Sequence, residues 1–362
     1  MNRNKVRGMV IGGAIGDALG MPVETWSPEK IREIHPNGVR QYLTPKDHKW
    51  YDAEKTPAGT TTDDTQLTIA TMNGFIEAQD YLDPTCMNLR VMSDLYLTSI
   101  AREHDKAMKV TDAGWGNTTR EAVRRLINGV HWSQSGFTND PSRGTGNGVP
   151  MKCSPLAAWF LSPAASKFSN DRNFSFHNFC VKYSAMTHYS RMSAHACVNH
   201  VDVMMLCLMT SPQDSCMLNV ALTEIVCVDG EHKYDVSYLN DQADNINDRM
   251  LALRQLQNAL PEMTQSDIIR EFGNGSCYVY DSLPFSYAWF MKDHSPTFQI
   301  LYQVIEAGGD TDTNAKIVGE MLGALHGYES IKTYLPWAID GLIEHDSLLA
   351  VADKFCDTFK ID

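Results

Sequence analysis

Apolar residues recur three or four positions apart over most of the chain. In the segment LTIATMNGFIEA, one helical face would carry Leu67, Ala70, Gly74, Phe75 and Ala78. The same spacing recurs in RVMSDLYLTSIARE, MSAHACVNHVDVMMLCLM, TFQILYQVIEA and AKIVGEMLGALHG. Strand-like alternation is limited to short pieces such as CYVYDS, and no strand–helix–strand order is present. The pattern therefore predicts an all-α fold.

Three long polar or Gly/Pro-rich connections interrupt this helical pattern, near residues 36–62, 131–153 and 161–173. None of them is of low complexity, and no repeat of fixed period is present. Connections of this length in a compact helical protein usually carry function or surround a site.

The first predicted helix contains a stripe of glycines. They fall four positions apart, at Gly8, Gly12, Gly16 and Gly20. A dinucleotide-binding loop does not fit, because the spacing is not GxGxxG and no strand precedes it. Each glycine costs a helix roughly 1 kcal/mol relative to alanine, so the stripe predicts a close helix–helix contact. Asp17 and Glu24 stand out as charges on, or just after, this buried-looking segment.

Composition excludes several classes of function. The hydrophobic fraction of 43% allows a large core, and the formal net charge of −13 argues against a general nucleic-acid or anionic-membrane surface. No apolar run in the sequence reaches the length of a membrane helix, and the nine cysteines are scattered without a CxxC pair. Because Asp17 interrupts the weakly apolar N-terminal segment, we do not expect it to act as a signal peptide. We expect a cytoplasmic protein with reduced thiols.

Two predicted helices each begin with a pair of acidic residues. In TTDDTQLTIATM the pair is Asp63 and Asp64, and in EAGGDTDTNAKIVGEMLGALHG it is Asp310 and Asp312. A threonine or aspartate at a helix start caps backbone N–H groups and suits the helix dipole. Capping accounts for one acid at each start and leaves the other unexplained.

A shared metal site accounts for both acids of each pair. Carboxylate and threonine oxygens are hard ligands of the kind that Mg²⁺, Mn²⁺ or Ca²⁺ take. Four or five carboxylates around one cation would leave a large excess of buried negative charge. The pattern therefore predicts two divalent cations held close together.

Two other kinds of catalytic site are weaker alternatives. A zinc site would use His188, His195 and His200, but their spacings of seven and five residues are not those of HExxH. HD dipeptides at residues 104–105 and 345–346 leave a helical HD-type phosphohydrolase as a rival. That site needs a further upstream histidine and downstream aspartate, which nothing in the chain marks out.

Two glycine-rich loops are candidates for ligand contact. DPSRGTGNGVPMKCSPLAAWF leads into a helix that Ser154 is expected to open, and its backbone N–H groups could cradle a diphosphate or form a simple turn. It is not a Walker A loop, because no Gly-Lys-Ser/Thr closes it. In KVTDAGWGNTTREAVRRL, Asp112 is either a turn residue or a functional acid.

Taken in order, these motifs resemble the ADP-ribosylglycohydrolase family. The resemblance rests on GAIGDALGMPVE, TTDDTQLT, DAGWGNTT, GTGNGVPMKCSPLA, THYS and AGGDTDTNAKIVGEMLGALHG, and extends from about residue 8 to residue 327. It implies a compact orthogonal bundle of a dozen or more helices around a binuclear Mg²⁺ or Mn²⁺ centre. It also implies a single domain spanning residues 1–362.

The resemblance assigns roles to individual positions. The metal ligands would be Thr62, Asp63, Asp64, Asp310, Asp312 and Thr313. The catalytic residues would be Glu24, Asp112 and Asp312, and the general acid/base would be Glu24 or Asp112. The substrate-binding residues would be Gly146, Asn147, Gly148, Met151 and His188. Many relatives carry arginine where this chain has Lys152, and Pro150 stands where a small flexible residue is expected, so the substrate contacts should differ in detail.

The implied activity is hydrolysis of the C1″ glycosidic bond of ADP-ribose conjugates, releasing ADP-ribose from arginine- or serine-modified proteins. Small-molecule or nucleic-acid ADP-ribosyl conjugates are alternative substrates. A non-catalytic, crystallin-like protein that binds ADP-ribose is the alternative from another class. The expected partner is an ADP-ribosylated protein or small conjugate, without a membrane, and the expected state is a monomer.

Overall fold

A computed structural model describes residues 1–46, 48–81, 89–140, 143–166, 175–227, 234–240 and 248–362, the side chains of residues 89, 90 and 216 excepted. These residues form 18 α-helices and no β-strand, with two isolated bridges. The helices are α1 (Arg3–Gly20), α2 (Pro28–Ile34), α3 (Asp63–Tyr81), α4 (Leu89–Val110), α5 (Asn117–Ile127), α6 (Trp132–Ser135), α7 (Ser154–Phe160), α8 (Phe176–Ala185), α9 (Arg191–Met209), α10 (Leu218–Val226), α11 (Asp248–Leu256), α12 (Gln265–Phe272), α13 (Val279–Lys292), α14 (Ile300–Glu306), α15 (Thr311–His326), α16 (Tyr328–Tyr334), α17 (Pro336–Gly341) and α18 (His345–Phe359).

The all-α prediction is confirmed, and the five periodic segments lie in α3, α4, α9, α14 and α15. The strand-like piece CYVYDS contributes only one bridge, between Tyr278 and Gly146, before α13 begins at Val279. Part of the connection at 161–173 lies outside the described residues.

Helices α1 and α15 pack antiparallel with their backbones in direct contact. A Cβ atom built on Gly12 would lie 2.4 Å from the carbonyl oxygen of Gly319, and one on Gly16 would lie 2.1 Å from that of Ala315. The opposing glycine is equally tight, since a Cβ on Gly319 would lie 2.2 Å from Gly12 O. The glycine stripe therefore serves close packing, as its spacing predicts.

This contact brings three chain segments to one end of the helix pair. Gly20, at the end of α1, lies against Thr311 at the start of α15, and Thr311 Oγ1 donates to Gly20 O at 2.8 Å. The turn after α1 therefore carries Glu24 to the beginning of α15. The start of α3 is joined to the same end through Asp17 of α1.

A continuous hydrophobic core runs from Val6 to Ile361, and a smaller cluster contains Leu67, Trp115, Val123 and Met151. Among the described helices, α9 alone is long and apolar enough to cross a membrane by length and composition. Within the protein, 67% of its apolar window is buried, as in a core helix.

Candidate active site

Asp17 of α1 caps the start of α3. Its carboxylate accepts hydrogen bonds from the backbone N–H of Thr62 and of Thr65, each at 3.1 Å, and from Thr65 Oγ1 at 2.5 Å. At the start of α15, Asp310 occupies the N-cap position without a side-chain capping bond. The acidic pairs are therefore less engaged in capping than sequence reasoning assumed, and a buried acid from another helix does that work for α3.

The two helix starts meet. Thr313 Oγ1 donates to Asp64 Oδ2 at 3.3 Å, which joins the two acidic motifs across almost 250 residues of sequence. Carboxylate oxygens of Glu24, Asp310 and Asp312 all lie within 4.8 Å of one another. We refer to Glu24, Asp63, Asp64, Asp310 and Asp312 as the acidic cluster.

The aspartates of the acidic cluster are buried. Their exposed fractions are 7% for Asp63, 3% for Asp64, 9% for Asp310 and 5% for Asp312. Asp64 Oδ1 is buried without a hydrogen-bond partner. In the described residues, no lysine or arginine forms an ion pair with any member of the cluster.

Burial and mutual repulsion disfavour the charged forms of the Glu24, Asp63, Asp64 and Asp312 carboxyl groups. Burial, reinforced by the charges of Asp310 and Asp63, raises the pKa of Glu24 to about 9. Burial and the charge of Asp17 raise the pKa of Asp63 to about 7. The pKa values of Asp64 and Asp312 are raised well above the usual range, again mainly by burial.

This arrangement fits divalent cations. The side chains of the acidic cluster, with Thr62 and Thr313, supply oxygen atoms, which are the donors that Mg²⁺ and Mn²⁺ favour. Asp64 Oδ1 has no hydrogen-bond partner, and no lysine or arginine among the described residues forms an ion pair with the cluster. Bound metal ions would balance the resulting excess of negative charge.

The Asn147 side chain contacts the acidic cluster directly. Its Nδ2 atom donates to Asp310 Oδ2 at 2.8 Å and to Ser282 Oγ at 3.1 Å. Its backbone N–H donates to Cys277 O at 2.9 Å, beside the Gly146 bridge to Tyr278. In this structure, Asn147 therefore orients a predicted metal ligand, and the substrate contact expected of it remains a prediction.

His188 lies against the same loop. A Cβ atom on Gly148 would lie 2.8 Å from His188 Cε1 and 3.0 Å from Nε2, so only glycine allows this approach. Met151 is 4% exposed, and its carbonyl accepts from Thr68 Oγ1 of α3 at 3.1 Å. The loop, His188 and the start of α3 are therefore packed into one surface beside the acidic cluster.

Asp112 is engaged elsewhere. Its carboxylate pairs with Arg120 Nε at 3.1 Å and with Arg124 Nη2 at 3.5 Å, and 47% of its side chain is exposed. Its neighbour Gly114 does approach the site, since a Cβ there would lie 3.0 Å from Asp63 Oδ1. The turn thus borders the acidic cluster while the Asp112 carboxylate faces two arginines.

Sequence reasoning did not single out His48 or Tyr51. His48 Nε2 lies 3.4 Å from Glu24 Oε2, and the His48 and Tyr51 rings are in contact with centroids 5.0 Å apart. Burial lowers the pKa of His48, so its ring is neutral beside Glu24. The only signal was the length of the connection at 36–62, which was expected to surround a site.

The other histidines are used structurally. His195 Nδ1 hydrogen-bonds to Tyr234 Oη at 2.5 Å, and His200 Nδ1 to Tyr287 Oη at 3.1 Å. His104 is fully buried, and its Nε2 lies 3.4 Å from Thr71 Oγ1. None of these contacts assembles a zinc or HD-type site in the described residues.

A cavity of about 590 Å³ opens beside Thr62 and Asp63. Side chains of α3, α4 and α18 line it, together with the connection that carries Tyr51. Ligand-sized space is therefore available next to the first acidic pair.

Comparison with known proteins identifies the family of this chain. Residues 1–361 match the profile of the ADP-ribosylglycohydrolase family. The ADP-ribosyl-[dinitrogen reductase] glycohydrolase of Rhodospirillum rubrum is 24% identical, over 96% of this chain and 97% of that protein. Human ADP-ribosylhydrolase ARH3 is 22% identical, over 95% of this chain and 92% of that protein.

Among solved structures, an ADP-ribosylglycohydrolase-related protein complex superposes with a TM-score of 0.58 at 18% identity, covering 98% of each chain. That likeness supports the fold. Because the family profile spans nearly the whole sequence, the chain belongs to the ADP-ribosylglycohydrolase family, the family of hydrolases that its motifs resemble.

Proposed function

We propose that this enzyme is a metal-dependent hydrolase that cleaves the C1″ glycosidic bond of ADP-ribose conjugates on proteins. The observation that carries the proposal is the acidic cluster, in which two helix starts and Glu24 converge without a paired cation in the described residues. Buried carboxylates in that number are costly unless cations balance them.

The residues that would hold two divalent cations are Thr62, Asp63, Asp64, Asp310, Asp312 and Thr313. Asn147 fixes the orientation of Asp310, and Asp17 fixes the start of α3, so the ligands are pre-positioned by hydrogen bonds. When bound, the cations would supply charge stabilisation and an oriented water at the reacting ribose.

Glu24 is the favoured general acid/base. It belongs to the acidic cluster, and the pKa of about 9 leaves a proton on its carboxyl group at neutral pH in the metal-free protein. Its Oε2 atom lies 3.4 Å from Nε2 of the neutral His48 ring. Asp112, paired with Arg120, is the less favoured candidate.

The ADP-ribosyl group would bind along the loop that contains Gly146 and Gly148. The backbone of this loop lies beside the His188 ring, so the surface presents both backbone N–H groups and the edge of an imidazole. Its proximity to Asp310 through Asn147 would place the distal ribose at the acidic cluster.

A protein substrate is favoured by the names of the relatives. The Rhodospirillum rubrum protein is named for a modified dinitrogen reductase, and several relatives are named ADP-ribosylhydrolase ARH3. We propose arginine- or serine-linked ADP-ribose on proteins as the substrate of this chain, with Mg²⁺ or Mn²⁺ as the cation.

The test is a panel of substrates assayed with Mg²⁺, with Mn²⁺ and with EDTA. The substrates are arginine-linked, serine-linked and nucleic-acid-linked ADP-ribose and a small conjugate. We expect release of ADP-ribose from a protein conjugate, and its loss in EDTA. Full activity in excess chelator would contradict the metal mechanism. Release only from nucleic acid or small conjugates would contradict the substrate class, and binding of ADP-ribose without any release would make the protein a binding module.

A further inference from the structure

Lys152 is a fully buried lysine without a carboxylate partner. It lies in the short 3₁₀ turn Pro150–Lys152 and is 0% exposed. Its Nζ atom donates to Thr187 Oγ1 at 2.8 Å and lies 5.9 Å from the centre of the Tyr183 ring. Through the described part of the chain, no acidic side chain forms an ion pair with it. Burying a cation in this way is costly, so its retention needs a reason.

Thr187 connects Lys152 to His188. Its Oγ1 atom lies 2.8 Å from Lys152 Nζ and 3.0 Å from His188 Nδ1. An ammonium group can only donate, so the Thr187 oxygen accepts from Lys152. The Thr187 hydroxyl hydrogen has no other hydrogen-bond partner in the described residues, so leaving it unbonded in this buried position would be costly. We therefore direct it to His188 Nδ1, which accepts it. The proton of the neutral imidazole is therefore on Nε2.

The Nε2 edge of His188 faces the glycine loop. A Cβ atom on Gly148 would lie 3.0 Å from Nε2, and one on Gly146 would lie 4.0 Å away. Nε2 makes no hydrogen bond to any residue that the structure describes. Burial, with the charge of Lys152 added, lowers the pKa of His188 to about 3, so the ring is neutral. An unprotonated Nδ1 thus leaves one uncharged N–H donor at the loop.

We propose that Lys152, acting through Thr187, is a positioning residue that fixes His188 in the Nε2–H tautomer, so that His188 donates a hydrogen bond to an oxygen acceptor of the ADP-ribosyl group. The identity of that ligand rests on the proposed function, whereas the tautomer assignment does not. The opposite tautomer would place a lone pair at the loop and repel phosphate or ribose oxygen atoms.

The first experiment measures the tautomer without any ligand. Proteins labelled with ¹⁵N in the histidine rings are compared by long-range ¹H–¹⁵N correlation spectra at pH 6, and the His188 signals are assigned with a His188→Gln variant. Burial lowers the pKa of Lys152 to about 7, so at pH 6 its amino group carries a proton and a positive charge. We expect a protonated Nε2 and an unprotonated Nδ1 in the native protein, and a mixture of tautomers in Lys152→Met.

Two variants at the bridging position serve as matched partners. Thr187→Val removes the hydroxyl and should also release the tautomer, whereas Thr187→Ser keeps the hydroxyl and should preserve Nε2–H. A native protein with Nδ1–H would overturn the proposal, even if Lys152→Met failed to fold. The same holds if Lys152→Met and Thr187→Val both keep a pure Nε2–H tautomer.

The second experiment measures ADP-ribose affinity by calorimetry. Losing the donor should weaken binding by up to about tenfold in Lys152→Met and Thr187→Val, the worth of one ordinary hydrogen bond, and leave Thr187→Ser close to native. Unchanged affinity in both disrupted variants would overturn the role of the donor. If native protein with the expected tautomer bound no ADP-ribose, the proposed function would fail, and the spectra would still decide the tautomer.

Discussion

Helix α15 carries two buried polar clusters with opposite balances of charge. At its start, Asp312 joins the acidic cluster, where no lysine or arginine pairs with a carboxylate in the described residues. One turn further on, Lys316 forms an ion pair with Glu320, and each side chain is 1% exposed. Ser154 Oγ adds a hydrogen bond to Glu320 at 2.9 Å, and the His200 ring lies beside it.

The difference separates structural charges from functional ones. In the middle of α15, the buried carboxylate of Glu320 is paired with Lys316 and accepts a hydrogen bond from the Ser154 hydroxyl. At the start of α15 and α3 the fold supplies several carboxylates, and no lysine or arginine among the described residues forms an ion pair with them. A buried charge that the chain does not balance indicates a partner from outside the chain.

The strongest test of this contrast is Asp312→Asn, which keeps the size of the side chain and removes one ligand charge. If cations act there, turnover should fall by at least about 10³-fold, since metal-based stabilisation is worth several kcal/mol. The measurement is release of ADP-ribose in saturating Mg²⁺, with circular dichroism to show that the fold is retained. Near-native turnover would remove Asp312 from the site.

Breaking the ion pair between Lys316 and Glu320 should lower the stability of the fold. Lys316→Met leaves Glu320 buried without its cation and should lower the free energy of unfolding by about 3–5 kcal/mol. Denaturant unfolding in EDTA measures this, with Lys316→Met/Glu320→Leu as the matched double variant that removes both charges and should recover part of the loss. If Asp63→Asn destabilised the metal-free protein as much, the contrast between the clusters would be lost.

In the metal-free state, the stability of the native protein should depend on pH differently from that of Asp63→Asn. The pKa of Asp63 is raised from 3.8 to about 7 by burial and by Asp17, so the folded protein holds this proton at pH values where the unfolded chain has lost it. In EDTA, the native protein therefore loses stability relative to Asp63→Asn as pH rises from about 4 to 7. Thermal unfolding of both proteins across that range measures the difference.

Saturating Mg²⁺ is the control for that series, because a bound cation favours the ionised carboxylate. The relative loss of native stability with rising pH should then disappear. A difference between native protein and Asp63→Asn that stays constant with pH in EDTA would show that burial does not perturb this carboxyl group.

The smallest effect is expected at the surface. Asp112→Asn breaks an exposed pair with Arg120 and should cost about 0–1 kcal/mol of stability. Turnover should fall by less than about tenfold, whereas Glu24→Gln should reduce it by about 10²-fold or more. Initial rates at saturating substrate compare the two variants. A larger loss in Asp112→Asn would reassign the general acid/base to Asp112.

Local patterns predicted the features that depend on neighbours in sequence. The period of apolar residues located α3 and α15, and the excess of acids at their starts located the acidic cluster. The glycine spacing of α1 predicted its close contact, because a smooth stripe has few other uses in a helix. These features were readable because each one recurs within a few turns of chain.

Other contacts depend on tertiary structure and carry no local signature. Asp17 caps a helix that begins 46 residues later, and His48 reaches Glu24 from an irregular connection. Asn147 points to Asp310 rather than into an open loop because Ser282 of α13 holds it from the other side. Asp112 faces Arg120 on α5, a pairing that a turn motif does not encode.

The contact between α1 and α15 restricts how this enzyme can vary. A methyl group on Gly20 would lie 2.3 Å from Thr311 O and 2.5 Å from the backbone nitrogen of Asp312. Any side chain at that position would act as a wedge that lifts the start of α15 away from α1 and changes the distance between Asp312 and Asp64. Gly20 contacts no reacting atom, yet it controls the spacing between the residues of the site. Substitution at this position is restricted by helix packing rather than by a role in the reaction.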